Sequence, residues 1–380
     1  MVIEYVKREG GVYMAWEGDR LKSVSKEKGI SLSKLAEILK VSRQTVNDWV
    51  KGQVPKGNHL MEISRLMEVP PGYFFQNDNQ AHISIPLHRK RGLAKLNDSM
   101  KEEALNIAAR YEALFKSAPE PGLVPVMRID RRDQENAQVI AAKLRELSGI
   151  EPNRPLDYDH TFRLLHGLRI VNIFRQFPPK LKGYAFYCRI HSHRVVFINT
   201  DTNILDLIFP LLHETVHAIR DEEVSAICDP EEESFCDTVS NLIQFPEEYV
   251  NMVLRAIKGR SKGIQINLLK EFSKKNAHST FGIVEQIKRL DPELDLQVGG
   301  ANSNLRKLFP SIGHVLFKEE DASVFVSKLK KLSPLFFEIL EKQIHSATNR
   351  RVGEWLGLES GLDAEQAIKE MRSIAAAREA

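Results

Sequence analysis

Cysteine is scarce in this chain. There are three, Cys188, Cys228 and Cys236, and no CxxC pair. An odd number at irregular spacing argues against a disulfide framework and against a cysteine-based zinc site, so a reducing interior is expected. Long apolar runs are missing too. No stretch approaches the roughly 20 apolar residues of a membrane span, and the opening "MVIEYVKREGG" lacks the apolar core of a signal peptide. We therefore expect no membrane partner and a cytoplasmic location. Charge of one sign is not in excess: 54 Lys and Arg against 51 Asp and Glu leave a net +3. That is too little to imply a nucleic-acid partner, which must be argued from a local patch. Internal repeats and low-complexity tracts are absent. What is present, 42% hydrophobic and 28% charged residues over 380 positions, suits two or three globular domains with apolar cores.

The expected fold class is α+β and mostly helical. Residues 1–75 read as short amphipathic helices. "EGDRLKSVSKEKG" closes at Gly29, a natural left-handed C′ residue. "SLSKLAEILK" is capped by Ser31 and "SRQTVNDWVKG" by Ser42. Residues 76–128 read as a linker with a basic "HRKRG" at 88–92, one connecting helix over "SMKEEALNIAARYEALFKSA", and a break at "PEPGLVP". Within 129–255, "LRIVNIF", "GYAFYCRI" and "HRVVFINT" predict strands. A long helix is expected to start near Asp201 or Thr202. Residues 256–380 are helical in pattern, with no role that the sequence names.

Two helices joined by a short turn, the second rich in polar residues, have the shape that enters a major groove. The second offers Arg43, Gln44, Thr45, Asn47 and Lys51 as candidate DNA-binding residues. Arg pairs with guanine, and Gln and Asn pair bidentately with adenine. Lys51 and Lys56 suit phosphates. Residues 1–75 carry 12 Lys and Arg against 9 Asp and Glu, a modest positive excess. A plain helical bundle with a solvated face is the bland alternative. The segment "LSKLAEILKVSRQTVNDWVKGQVPKGNHL" resembles the XRE-type helix-turn-helix family, which implies double-stranded operator DNA as partner. Lys40 stands where that family usually has Gly, so a left-handed backbone costing about 1 kcal/mol is expected there.

"PLLHETVHAIRDEE" places His213 and His217 four residues apart with Glu214 between. On a helix the two imidazoles share one face, one turn apart. That spacing can grip a zinc ion, which accepts neutral His and carboxylate ligands and leaves one position for water. Glu214 beside it is the candidate general base. A chance HExxH in a chain with this many histidines is roughly a 3% event. Pro210, within the expected helix, should kink it just ahead of the site. A third ligand is needed. "PEEESFCDTVSNLIQFP" supplies Glu231, Glu232, Glu233 and Asp237 as candidates. Carboxylates at a helix N-terminus are usually just solvated, and two of the three glutamates are expected to be so. His191 and His193 form an alternative pair, read here as ordinary strand or loop residues.

"FPLLHETVHAI" followed by "ESFCDTVSNLIQFP" resembles the ImmA/IrrE family of zinc metallopeptidases. The resemblance implies a zincin-like domain over 129–255 with a Zn2+ cofactor. It also implies His213, His217 and Glu233 as metal ligands, Glu214 as base and Asp237 orienting a ligand. "VVFINT" would be the edge strand, and "NAHSTFGIVEQI" brings in His278 as a transition-state hydrogen-bond donor. Val216 and Thr215 depart from the family pattern and are expected to narrow the cleft. The expected function is a DNA-binding transcriptional regulator whose peptidase domain cleaves a repressor or antitoxin, with a homodimer as an open option. The rival is a non-catalytic regulator or antitoxin in which the zinc-type domain is a sensor or scaffold.

Overall fold

The computed structural model describes residues 2–7, 16, 18–69, 73–74, 82–84, 98–121, 123–129, 131–181, 183–220, 230–317 and 321–379. The basic stretch at 88–92 and Cys228 lie outside them. The chain forms two compact units, Glu9–Gln80 on the one hand and Met1–Arg8 with Ala81–Ala380 on the other. No described helix is long and apolar enough to cross a membrane.

Ahead of the smaller unit, β1 (Val2–Lys7) belongs to the larger one. The smaller unit holds α1 (Gly18–Glu27), α2 (Leu32–Ile38), α3 (Arg43–Val50) and α4 (Gly57–Met67). Gly29 takes φ +68° as expected. Ser31 Oγ accepts from the Lys34 N–H at 3.2 Å and Ser42 Oγ from the Thr45 N–H at 3.0 Å, which satisfies an orphan donor at each helix start. Between α2 and α3 Lys40 sits at φ 52°, the left-handed turn anticipated from the missing glycine. Leu35, Val46 and Trp49 meet Ile63, Met67 and Phe74 in the core. Trp16 Nε1 donates to the Trp49 carbonyl at 2.7 Å. Gly18 starts α1 hard against the end of α3: a Cβ there would lie 2.2 Å from the Val50 carbonyl oxygen. Gly18→Ala is expected to destabilise this unit by about 1–3 kcal/mol, because backbone rather than a movable side chain is in the way. Denaturant unfolding followed by tryptophan fluorescence checks it. An unchanged transition would show that α1 can shift freely.

The larger unit is α+β. Its main sheet has the order β2–β5–β6–β4, from β2 (His82–Ser84), β4 (Ile170–Arg175), β5 (Ala185–Ile190) and β6 (His193–Asn199). β5 and β6 form an antiparallel hairpin turning at His191, whose φ is 53°. β4 runs parallel to β6 and β2 antiparallel to β5. β6 is thus an inner strand, not the edge strand expected of "VVFINT": both its ladders are filled, and β4 and β2 take the edges. A second, two-stranded sheet pairs β1 with β3 (Leu123–Arg128). Residues 82–84 and 123–128, expected as linker, are therefore strands, stabilised by partners distant in sequence. The expected connecting helix is two, α5 (Asp98–Ala109) and α6 (Glu112–Lys116), broken where the Tyr111 hydroxyl donates to the Trp355 carbonyl at 3.0 Å.

Of helices α7 (Gln134–Ser148), α8 (Tyr158–Gly167), α9 (Ile208–Arg220) and α10 (Pro230–Gln244), α8 and α9 pack on the main sheet, and α7 and α10 pack on each other and on α8 and α9 respectively. α9 is apolar nearly all round and is buried from Leu211 to Ile219. It starts later than expected, after a turn of 3-10 helix at Ile204–Asp206. Pro210 is consequently in its first turn, where no intrahelical N–H bond is lost, and the expected kink has no cause. No local sequence pattern marks Arg145 on α7. It is buried among apolar neighbours, and its guanidinium donates to the carbonyls of Ile243, Glu151, Pro152 and Arg154 at 2.6–3.2 Å. It thereby ties the end of α10 to the loop after α7. Burial lowers its pKa to about 10, which leaves it charged at neutral pH.

After α10 come α11 (Glu247–Ile257), α12 (Lys262–Asn276), α13 (Thr280–Leu290) and α14 (Gly299–Arg306), of which α11 to α13 enclose a small core around Phe245, Tyr249 and Ile283. The last described helices are α15 (Ile312–Phe317), α16 (Ala322–Leu332), α17 (Pro334–Gln343), α18 (Asn349–Leu356) and α19 (Gly361–Glu379). α16 to α19 contribute Val326, Phe336, Trp355 and Ile368 to the same apolar core as the main sheet. The division expected near residue 255 is thus bridged by shared packing.

Candidate metal centre and recognition helix

α9 carries His213 and His217 on one face and α10 brings Glu233 opposite them. His213 Nε2 and His217 Nε2 lie 3.0 Å apart. Glu233 Oε2 is 3.2 Å from the first and Oε1 is 3.3 Å from the second. All three side chains are buried. Donors bound at 2.0–2.1 Å to a tetrahedral zinc stand about 3.3 Å apart, close to the spacing of the two nitrogens and of each nitrogen from its nearer Glu233 oxygen. Two imidazoles and a carboxylate are also the donor types zinc takes. A buried carboxylate facing two imidazole nitrogens calls for positive charge between them, supplied by a metal ion or, without one, by a proton on His213. The residues fit the metal.

The surroundings tune these donors. Asp237 Oδ1 is 2.9 Å from His213 Nδ1, so it holds that nitrogen protonated and turns the Nε2 lone pair inward. Burial alone would lower the pKa of His213, but Asp237 and Glu233 outweigh it and bring it to about 9. Burial dominates at His217 and lowers its pKa. Burial would raise Glu233, yet the two histidines hold it at about 2, so it stays ionised. His217 Nδ1 faces Cys236 Sγ at 3.6 Å. His217, Glu232 and Cys236 make a second cluster of ligand types. It is the poorer one: burial pushes the Cys236 thiol well up, and Glu232 is already held by Arg132 Nε at 2.6 Å and Arg220 Nη2 at 2.9 Å. Glu232 is thus a buried ion-paired strut rather than a solvated residue, and Glu231 alone of the three glutamates is exposed. Arg220 closes α9 and Glu232 opens α10, so the pair staples these two helices together.

Glu214 is fully buried beside His213, and its Oε2 accepts from the Tyr187 backbone N–H of β5 at 2.6 Å. Val216 and Thr215 are fully buried as well. Val216 is in the apolar core and Thr215 Oγ1 donates to the Leu211 carbonyl at 2.6 Å, so neither narrows a cleft. His278 is in another cluster. Its Nε2 meets the Tyr249 hydroxyl at 2.7 Å and its Nδ1 lies 3.2 Å from the Ser279 carbonyl. Both nitrogens are engaged inside the small core, which leaves none directed at the triad. His191 and His193 are hairpin residues. His193 packs on Phe115 with ring centres 5.0 Å apart and bonds the Pro119 carbonyl at 3.0 Å.

On α3, Arg43, Gln44 and Asn47 are exposed and Thr45 is half-buried; Lys51, just after the helix, is exposed. Val46 and Trp49 face the core, so the polar residues occupy the opposite side. Gln44 Nε2 donates to Asp48 Oδ1 at 2.7 Å, which pre-sets the glutamine on that outer face. Gln44→Ala with Asn47→Ala is expected to weaken operator binding by about 1–3 kcal/mol for each bidentate pairing to a base that is removed. Lys51→Ala should instead lower the salt slope by about one. Fluorescence anisotropy across a salt series separates the two, and unchanged sequence preference in the double variant would show that this helix reads no bases.

No protein of curated function matches the chain. Residues 21–74 match the family described as Helix-turn-helix, of the XRE type, and the match supports a DNA-binding regulator.

Proposed function

We propose that this protein is a DNA-binding transcriptional regulator with a zinc peptidase domain of the ImmA/IrrE kind, acting on a repressor or antitoxin protein to control transcription. The observation that carries the reading is the buried convergence of His213 Nε2 and His217 Nε2, 3.0 Å apart, on the Glu233 carboxylate, whose Oε2 is 3.2 Å from the first and whose Oε1 is 3.3 Å from the second. Zinc, when bound, supplies Lewis acidity toward a carbonyl and lowers the pKa of a water. His213, His217 and Glu233 would hold it, and Asp237 would keep the His213 ring in the donating tautomer. Glu214 takes the proton of the attacking water at a carboxylate oxygen. A zinc held by these three side chains would keep room for a water, as a catalytic site needs. Residues 129–255 would form this domain and Arg43, Gln44, Thr45, Asn47 and Lys51 the DNA surface. A homodimer would match a two-fold operator.

One observation favours the non-catalytic alternative. The Tyr187 N–H already occupies Glu214 Oε2 at 2.6 Å and ties this carboxylate to β5 as a packing contact. Metal analysis is the first test. The purified protein should carry about one zinc, and Glu233→Ala should lose it. Absence of zinc from the wild-type protein would sink both metal readings.

A further inference from the structure

A groove of about 630 Å3 in the larger unit passes Asp237, beside the candidate metal centre but not lined by its three candidate ligands. Asp237, the partner of His213 Nδ1, is in its wall. From there the groove passes Gln244 at the end of α10 and reaches Phe281 on α13 and Asn302 on α14. The wall carrying Asn302 is fixed relative to α9. Arg306 on α14 pairs with Asp206, and Asn203 Nδ2 donates to the carbonyls of Arg306 and Phe309 at 3.0 and 2.8 Å. Asp206 and Asn203 both belong to the segment that leads into the HExxH helix.

Gln244 and Asn302 lining this groove are only 3% and 1% exposed. Asn302 Oδ1 accepts from Ser279 Oγ, the Thr280 N–H and Thr280 Oγ1 at 3.0–3.1 Å. A backbone N–H can only donate, so the oxygen of this carboxamide is identified and the other end is the NH2 group. Among the described residues that Nδ2 has no hydrogen-bond partner, and neither does the side chain of Gln244. Two nearly buried carboxamides with unused donors and acceptors thus line one groove beside the candidate peptidase site. Neither side chain is among the polar atoms sealed from solvent, so water in the groove holds these groups until a partner with the same donors and acceptors replaces it.

A carboxamide offers the same donor and acceptor as a peptide unit. An extended chain, rising about 3.3 Å per residue, presents free N–H and C=O groups along its length, whereas a helix or a sheet interior has none to spare. Phe281, 46% exposed, adds an apolar platform beside them. We propose that this groove binds an extended polypeptide main chain, with Gln244 and Asn302 as positioning residues that grip it independently of sequence. The substrate class is then an unfolded linker or tail of a protein, with a bulky apolar side chain placed against Phe281. This rests on the peptidase reading for its purpose, but the binding can be tested apart from it.

The probe is a capped, fluorescently labelled phenylalanine–alanine–glycine peptide too short and flexible to fold, added to the full-length zinc-loaded protein. Anisotropy reads binding and mass spectrometry of the same mixtures reads cleavage. The wild-type protein is expected to bind saturably. Gln244→Ala should raise Kd tenfold or more. Asn302→Asp, which keeps the acceptor that Ser279 and Thr280 need but removes the donor, should do the same, with zinc content and unfolding midpoint unchanged. Where cleavage occurs, KM should rise and kcat should hold. No binding by the wild-type protein, or equal binding by both variants, overturns the proposal. Binding that depends on both residues without cleavage would sustain the groove and defeat the peptidase reading. Cleavage indifferent to both residues would do the reverse.

Discussion

Glu214→Gln is expected to leave zinc bound and to slow peptide-bond cleavage by about 10²–10⁴-fold, the range over which a positioned general base acts. The substitution suits the site. Glutamine keeps an acceptor oxygen for the Tyr187 N–H, now 2.6 Å from Glu214 Oε2, so the packing of α9 against β5 is retained. It cannot take a proton. Metal content and the unfolding midpoint should match the wild type, and the loss should appear in kcat with the cognate repressor or antitoxin as substrate. Cleavage within tenfold of wild type would remove Glu214 from the mechanism. A variant that also loses zinc would point to a structural role for the carboxylate instead.

Acid should destabilise the larger unit through His278. Burial pushes its pKa down to about 4, although the carbonyl of Ser279 works the other way. In the unfolded chain it titrates near its ordinary value of about 6.5. Above that pH neither state holds the proton and the contribution is fully present. Between about 6.5 and 4 the unfolded chain binds a proton that the native protein excludes, so stability falls with falling pH, by about 3 kcal/mol in all. His278→Gln can keep a bond to the Tyr249 hydroxyl and does not titrate. Between pH 7 and 4 the wild type should therefore lose about 3 kcal/mol more than this variant in denaturant unfolding. Parallel curves would mean that His278 is already exchanging protons with solvent.

Both tests turn on residues that the sequence singled out, and their fates differ for a physical reason. The i, i+4 spacing of His213 and His217 becomes adjacency on any α-helix, so one face with two imidazoles was legible from residue order alone. The same holds for the caps at Ser31 and Ser42, the left-handed Gly29 and Lys40, and the polar outer side of α3. His278 had no such local rule. Its surroundings come from Tyr249, Ser273 and Phe245, and only packing decides which way the ring faces. Pro210 misled because its effect depends on where the helix begins, and that start is set by the turn at Ile204–Asp206.

What the sequence by itself determined is therefore whatever repeats within one or two helical turns: the helices, the caps, the ligand pair and a set of acidic candidates nearby. The residues themselves left Glu231, Glu232, Glu233 and Asp237 open and only a family resemblance singled out Glu233; packing is what brings Glu233 to the histidines while Glu232, next to it, is held by Arg132 and Arg220. It also decided that β6 is an inner strand, that residues 2–7 pair with 123–128, and that Gln244 and Asn302 border one groove. Neighbours on α10 point about 100° apart, so a one-residue choice among carboxylates depends on how that helix is rotated against α9. That rotation is fixed by close packing of side chains distant in sequence, which no local pattern records.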